Sequence, residues 1–151
     1  APGKKEDETG HPFVGAAGKF LNEMLAIIKL KREDIYIANV CKCRPPQNRD
    51  PLPEEIKKCW PWLEQQIKII DPKIIVTLGR HSMERFIPGE KISRAHGKLF
   101  TCKIKGLGER NFFTLYHPAA ALYNGSMRQT LIKDFKKIPT ILRKIKTADP
   151  I

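Results

Sequence analysis

The spacing of apolar residues along the chain predicts helices that alternate with short strands. Apolar side chains recur every three or four positions in Gly15–Leu30 and again in Glu54–Ile70, which predicts two helices with one apolar face each. A short helix is predicted at Arg80–Phe86. Ser126–Lys146 is predicted to be a basic final helix that Pro139 breaks or kinks.

Runs of β-branched and aromatic residues predict the strands. Asp34–Cys41 and Ile74–Leu78 are short and apolar enough to be buried strands. Leu99–Ile104 and Phe112–Leu115 flank two glycines, and they predict a hairpin that leads into the last core strand.

This order of elements predicts an α/β protein in which helices cover both faces of a mainly parallel sheet. We therefore expect a three-layer α/β/α sandwich, with residues 1–151 forming a single domain. Ligands bind beyond the carboxyl ends of the strands in such sheets. Asn39, Gly79 and His117 lie at or just past predicted strand ends, so we expect a binding site where these three residues meet.

The charge of the chain adds a class of partner to this picture. Lys and Arg number 28 against 16 Asp and Glu, which gives a net charge of +12. A basic domain of this size attracts polyanions, DNA or RNA first among them, although a solvated basic surface without a partner explains the charge equally well. The sequence has no apolar run of about 18 residues and no signal-peptide pattern, so we expect no membrane contact and a cytoplasmic protein.

Two stretches carry candidate chemistry. Residues 1–14 are predicted to be a loop that continues into the glycine-rich stretch 10–18, and such a loop either cradles a phosphate or carbonyl with its N–H groups or is a plain tight turn. Phe13 in this polar loop either anchors the loop to the core or stacks on a base. His117 follows the last strand, where it is well placed to hydrogen-bond a ligand, although a lone histidine is more often structural.

Four cysteines in a chain without a secretory signal favour free thiols or metal ligands over disulfides. Cys43 and Cys59 are 16 residues apart and flank the predicted extended loop Arg44–Pro53, so they are either a metal-binding pair or two buried free thiols. Cys41 and Cys102 lie in predicted strands and are expected to pack in the core. A closed site of all four cysteines is a further alternative.

Three long motifs in this order, GHPFVGAAG, NVCKCRPPQNRDP and HPAA, resemble those of the iron–sulfur (family four) uracil-DNA glycosylases. The resemblance covers about residues 1–145. It implies a uracil-DNA glycosylase-like fold and an enzyme that flips uracil out of DNA and hydrolyses its N-glycosidic bond at the start of base-excision repair. It also implies uracil-containing DNA as the partner, a monomeric enzyme, and a sliding clamp or another repair protein as a further partner.

The resemblance also implies roles for single residues. Phe13 would stack on the flipped uracil, and the amide of Asn39 would pair with uracil O4 and N3–H. His117 would hydrogen-bond uracil O2 as negative charge develops on the departing base. The segment from Pro118 onward resembles the loop that enters the minor groove, with Leu122 as the candidate wedge. The candidate DNA-contacting residues are Arg80, Lys98, Pro118, Leu122 and Arg128.

The chain departs from the family pattern at its start. The first family motif would begin before Ala1, which leaves Ala1 and Gly3 as candidate substrate-binding residues and Glu6 as the candidate for orienting the attacking water. We expect a fragment or an incomplete gene product for this reason.

The family also ligates a [4Fe–4S] cluster through a Cys-x-x-Cys pair and two later cysteines. Cys43 and Cys59 match the later two, so the sequence contains only two of the four expected ligands. Two alternatives stay open at this point. One is a non-catalytic DNA-binding remnant of the same fold, and the other is a relative in the same superfamily with altered base specificity or covalent chemistry.

Overall fold

A computed structural model describes residues 1–148 of the chain, and within them eight α-helices and three strands follow one another. Single 3₁₀ turns lie at Arg32–Asp34 and Pro46–Asn48. The elements in chain order are α1 (Lys4–Thr9), α2 (Ala16–Ile27), α3 (Pro53–Ile70), β1 (Ile75–Leu78), α4 (Arg80–Phe86), α5 (Ile92–Ala95), β2 (Leu99–Ile104), β3 (Gly108–Leu115), α6 (Pro118–Ala121), α7 (Gly125–Phe135) and α8 (Ile138–Ala148).

The three strands form one mixed sheet in the order β1-β3-β2. β1 runs parallel to β3, and the register places Leu78 opposite Leu115. β2 runs antiparallel to β3 as the other arm of the predicted hairpin, with Leu99 opposite Phe113. The central strand therefore pairs on both edges, and its apolar residues are the most deeply buried of the sheet.

Helices pack against both faces of this sheet, because successive side chains of a strand point to opposite faces. Phe113 and Leu115 pack in a core with residues of α2, α6 and α7 and with Ile138 at the start of α8. Phe112 packs in a second core with residues of α3, α4 and α5. The predicted α/β sandwich is confirmed, with one parallel and one antiparallel strand pair in its small sheet.

The helices predicted at Gly15–Leu30, Glu54–Ile70 and Arg80–Phe86 are confirmed as α2, α3 and α4. The predicted final helix Ser126–Lys146 is divided into α7 and α8, and Pro139 lies in the first turn of α8, where a residue without a backbone N–H is tolerated. None of the helices in residues 1–148 is long and apolar enough to cross a membrane.

The prediction that residues 1–14 form only a loop was wrong, because α1 lies within them. Glu6 and Asp7 in its first turn complement the positive end of the helix dipole. Gly10 ends the helix with a φ of 72°, and its N–H donates to the carbonyl of Glu6. A residue without Cβ takes this left-handed conformation at little cost.

The predicted strand Asp34–Cys41 was also wrong. Most of this segment lacks regular secondary structure, with Asp34 ending a 3₁₀ turn, and none of it pairs with a strand among the described residues. Ile35 and Ile37 still pack against the core, while Tyr36 between them is 59% exposed. A cleft separates the segment from β1, whereas a β-ladder needs a neighbouring strand about 4.8 Å away.

Candidate active site

One cleft of about 1100 Å³ brings the predicted substrate-binding residues together. Its lining includes Gly79 and His117, which follow the carboxyl ends of β1 and β3. The cleft continues as an apolar groove between residues 35–40 and β1. The predicted site residues in its lining are Ala1, Gly3, Phe13, Asn39, Arg80 and His117.

His117 is held in a defined protonation state. Its Nδ1 accepts a hydrogen bond from the backbone N–H of Ala119 at 3.1 Å, so the ring proton lies on Nε2. Burial is the main cause that lowers the pKa of His117 below its ordinary value, and the electrostatic interaction with His81 adds to the lowering. His117 is therefore a neutral imidazole with one N–H to donate.

Gly79 allows the turn after β1 to approach His117 closely. Its φ is +87°, and a Cβ built on it would lie 3.0 Å from the Cβ of His117. A side chain at this position would therefore both strain the backbone and displace the imidazole.

Phe13 lies against His117 in the cleft. The two rings stack with their centroids 5.4 Å apart and an angle of 23° between their planes. Phe13 has a positive φ of 54°, which is costly for an aromatic residue and indicates that its surroundings hold it in place.

Two residues that the sequence did not single out fix the Phe13 loop. The guanidinium of Arg32 donates to the carbonyl of Phe13 at 2.9 Å and also to the carbonyl of Pro12. Gly18 in α2 packs directly beneath, since a Cβ there would lie 1.8 Å from the Phe13 carbonyl oxygen. Arg32 belongs to a run of charged residues that is typical of an exposed segment, so nothing in the sequence indicates this contact.

Glu6 lies behind the same loop and is not part of the cleft lining described above. Its carboxylate accepts a hydrogen bond from the N–H of Val14 at 3.0 Å. Burial raises the pKa of Glu6, but backbone N–H donors, with Val14 and Gly15 among them, outweigh burial and hold that pKa below its usual range. The contacts of Glu6 therefore position the loop that carries Phe13.

The predicted DNA-contacting side chains are dispersed. Arg80 lies in the cleft lining and pairs with Asp50 at 3.0 Å, and Lys98 is exposed on the surface. Arg128 pairs with Glu23 at 2.7 Å and lies over the ring of Phe20, so it already has partners within the chain.

The segment after His117 begins with α6 and continues into Leu122, the candidate wedge, and Tyr123. Pro118 is fully buried, and Leu122 is partly buried against the core. Tyr123 next to it is 97% exposed. The sequence offered Leu122 because it is apolar, and it did not show that the adjacent aromatic ring is the one that faces outward.

The cysteines are the candidate ligands of a cluster. Cys59 contacts the sulfur of Cys41 at 4.0 Å, while Cys43 is exposed. Within residues 1–148, no group of three His, Cys, Asp or Glu side chains lies close enough together to hold a metal ion. The described residues supply two neighbouring sulfurs where a [4Fe–4S] cluster needs four thiolates, so they do not fit the cluster by themselves.

Comparison with known proteins finds similar sequences along most of the chain. The sequence model of the uracil DNA glycosylase superfamily matches residues 1–144. The chain is 53% identical to a type-4 uracil-DNA glycosylase of Sulfurisphaera tokodaii over 91% of this chain and 65% of that protein. It is 49% identical to the type-4 enzyme of Archaeoglobus fulgidus over 91% of this chain and 71% of the relative, and 47% identical to that of Saccharolobus solfataricus over 94% and 68%. The chain thus spans about two thirds of the length of these relatives.

Proposed function

The chain belongs to the uracil DNA glycosylase superfamily, with type-4 relatives along most of its length, and we propose that it hydrolyses the N-glycosidic bond of deoxyuridine in DNA. The target nucleotide is flipped out of the helix into the cleft, as chemistry on a base requires. The product is a DNA strand with one base removed, which starts base-excision repair.

The observation that carries this proposal is the meeting of three different chemical groups in one cleft. Phe13 offers an aromatic face, Asn39 offers an amide, and His117 offers a single N–H donor. A pyrimidine has a flat face, a hydrogen-bonding edge and a carbonyl that gains charge when the base departs. Each protein group matches one of these features.

Asn39 is proposed to read the base. Its amide presents one acceptor and one donor side by side, which complement uracil N3–H and O4. Cytosine presents the opposite order, with an acceptor at N3 and a donor at N4. The amide in the uracil-binding orientation therefore leaves cytosine with two unmatched groups, which is costly in a desolvated site.

His117 is proposed to stabilise the leaving group. The N–H at Nε2 donates to uracil O2, and this hydrogen bond strengthens as negative charge moves onto the departing base. The Ala119 N–H keeps the tautomer in place throughout, because it occupies Nδ1. The sugar becomes positively charged in the same step, and nearby DNA phosphates offset that charge before water adds to the anomeric carbon.

Phe13 is proposed to bind the face of the base. The centroid distance of 5.4 Å between Phe13 and His117 is too short to hold a base between the two rings, since two stacked contacts need about 7 Å. The base therefore stacks on Phe13 while the His117 ring meets its edge, and one of the two rings moves when the base enters.

Tyr123 is proposed to contact the DNA beside the flipped nucleotide. Its ring is the exposed one in the loop after His117, and an aromatic face can stack on the bases that flank the gap. Arg80 in the cleft lining is proposed to contact a phosphate, with Asp50 as its partner in the free protein.

The test compares Asn39→Ala with Asn111→Ala in single-turnover excision from a duplex with one uracil. Asn111 lies on β3 and bonds to Thr101, so the control removes the same amide outside the proposed base contact. We expect Asn39→Ala to slow excision about 100-fold, as the loss of two buried hydrogen bonds implies, and Asn111→Ala to retain the rate. DNA affinity, measured in parallel, is expected to change little in both variants.

Equal excision rates in the two variants would show that Asn39 does not take part in the reaction. DNA binding without excision by the unaltered chain would instead favour a non-catalytic DNA-binding protein of the same fold.

A further inference from the structure

A buried carboxylate lies between two basic side chains, outside the proposed base contacts. Asp134 in α7 is 3% exposed. One of its oxygens lies 2.6 Å from Nδ1 of His96, and the other lies 2.6 Å from Nζ of Lys137. A carboxylate beside an ammonium group accepts both hydrogen bonds, so Nδ1 of His96 donates. A charged group this deeply buried needs such partners, and the bond in turn fixes the rotation of the imidazole.

The backbone around His96 is bonded to β3. The carbonyl of Ala95 accepts a hydrogen bond from the hydroxyl of Thr114, and the N–H of Gly97 donates to the carbonyl of Thr114 at 2.7 Å. Gly97 has a φ of +69°, and a Cβ built on it would lie 2.2 Å from Oδ1 of Asp134, so glycine leaves room for this carboxylate. His96 is therefore held in a fixed position relative to the end of β3.

The imidazole of His96 stacks on Tyr116, the residue before His117. The ring centroids are 4.6 Å apart, with an angle of 30° between the ring planes. Tyr116 belongs to the cleft lining, and His117 next to it stacks on Phe13. Where the chain leaves β3, two successive rings are thus each held by a ring from another part of the chain.

We propose that His96 is a positioning residue for His117, an inference that rests on the proposed excision of uracil. Tyr116 and His117 share a peptide bond, so a shift of the tyrosine ring moves the backbone that carries the second imidazole. The stack on His96, whose ring Asp134 fixes, restricts that shift. A hydrogen-bond donor displaced by about 1 Å loses much of its effect on a reaction, so a residue outside the cleft lining can affect the rate.

The alternative is that His96 only connects α5 to α7 through Asp134. Lys137 separates the two explanations, because it bonds to Asp134 and, at 3.3 Å, to the carbonyl of Gly97. Lys137→Met therefore weakens the same connection and leaves the stack on Tyr116 in place. His96→Phe does the reverse, since it keeps an aromatic ring on Tyr116 and removes the bond to Asp134.

The experiment compares His96→Ala, His96→Phe and Lys137→Met with the unaltered chain. It measures the maximal single-turnover rate of excision, the enzyme concentration that gives half of this rate, and unfolding by urea. We expect His96→Ala to lower the maximal rate at least about tenfold with little change in that concentration, because His117 is less well directed while the DNA contacts are kept. His96→Phe is expected to recover most of the rate and Lys137→Met to keep it, although both unfold at lower urea concentration than the unaltered chain.

A second readout follows the tautomer of His117 without using excision. The chemical shifts of its two ring nitrogens show which nitrogen carries the proton, and we expect Nε2 in the unaltered chain, because the N–H of Ala119 occupies Nδ1. In His96→Ala we expect the loosened ring to populate both tautomers, so that the two shifts move towards each other. His96→Phe and Lys137→Met are expected to keep the shifts of the unaltered chain.

Unchanged nitrogen shifts in His96→Ala would overturn the proposal. A loss of rate in Lys137→Met equal to that in His96→Ala would also overturn it, because the effect would then follow the connection between the helices and not the stack. An unaltered chain that does not excise uracil would refute the proposed function instead, and the nitrogen shifts would still decide the role of His96.

Discussion

At the scale of single residues, the protonation state of His117 decides what the cleft can do. The ring is neutral for two separate reasons. Burial lowers its pKa, and the Ala119 N–H occupies the Nδ1 lone pair that a second proton would need. In the proposed reaction a neutral donor has the advantage that it would not protonate the base prematurely, and its hydrogen bond would still gain strength as charge develops on uracil O2.

The pH dependence of excision tests this assignment. The folded protein lowers the His117 pKa from 6.5, so the ring protonates only at more acidic pH. We therefore expect the excision rate to stay constant as the pH is lowered past 6.5, and to fall only in the more acidic range where the ring protonates. His117→Asn is expected to be about 100-fold slower and to lack this acid limb. The measurement is a single-turnover rate profile of both proteins, and an acid limb centred at or above pH 6.5 would contradict the assignment.

The lowered pKa of His117 also makes the stability of the fold depend on pH. The sign of this dependence follows from which state, folded or unfolded, binds the proton more tightly. The unfolded chain binds the His117 proton more tightly than the folded chain does, so protons favour unfolding. The contribution of His117 to the free energy of unfolding is complete above pH 6.5 and is lost as the pH falls from 6.5 towards the lower folded pKa.

Gly18 tests the positioning of Phe13. A methyl group at Gly18 would overlap the Phe13 carbonyl oxygen, so Gly18→Ala is expected to displace the Phe13 loop, to slow excision about tenfold or more, and to destabilise the fold by ~1–3 kcal/mol. Gly125→Ala is the control, because its Cβ meets nothing within 4 Å in the first turn of α7. Rates and unfolding curves of both variants give the result, and a Gly18→Ala protein indistinguishable from the unaltered chain would refute the proposed packing.

The residues of the cleft were predictable to different degrees. His117 follows the end of β3, so its position alone pointed to a site at that edge of the sheet. Asn39 lines the same cleft although the predicted strand that placed it there did not form. Arg32 and Glu6 hold the Phe13 loop through contacts across 19 and 8 residues. Such contacts depend on the direction in which the chain folds back, which no local pattern encodes.

At the scale of elements, the segment 35–40 shows the limit of a local pattern. Its alternation of apolar and exposed residues is that of a strand, and its inward side chains do reach the core. A strand is completed only by a neighbouring backbone, and β1 lies across the apolar groove instead. Helices are easier to predict, because the backbone hydrogen bonds of α2, α3 and α4 are all internal to each helix. The spacing of apolar residues within the helix is then enough to indicate it.

Hydrogen exchange of backbone amides tests this description of the segment. β3 has a neighbour on both edges, so its amides are expected to exchange slowly, while amides of residues 35–40 exchange at least ~100-fold faster. The alternate amides of β1 that face the groove are expected to exchange fast as well. Protection of residues 35–40 equal to that of β3 would mean that the segment is paired in a ladder.

At the scale of the whole molecule, the net charge of +12 matters more for encounter than for the fold. We expect this charge to attract DNA from a distance, and contacts with phosphates to release counterions from the DNA. Arg80 lies in the cleft lining and pairs with Asp50, whereas Arg128 pairs with Glu23 away from that lining.

The salt dependence of DNA binding separates these contributions. We expect log K to fall linearly with log salt concentration, and Arg80→Ala to reduce the slope by about one unit. Lys103→Ala is the control, because it removes the same charge from an exposed position on β2. Lys103 lies beside Glu109, near the end of β3 that is far from His117, so we expect the slope to stay unchanged. Equal slopes in all three proteins, measured by fluorescence anisotropy, would show that Arg80 makes no phosphate contact.

The central claim is tested most directly by incubating the chain with a labelled oligonucleotide that contains a single uracil and then treating the DNA with alkali. The account predicts strand cleavage at the uracil, no cleavage of the matched thymine oligonucleotide, and a strongly reduced yield with Asn39→Ala. Salt-sensitive binding of the same oligonucleotide with no alkali-labile site would contradict it, and would leave a protein that holds DNA without acting on the base.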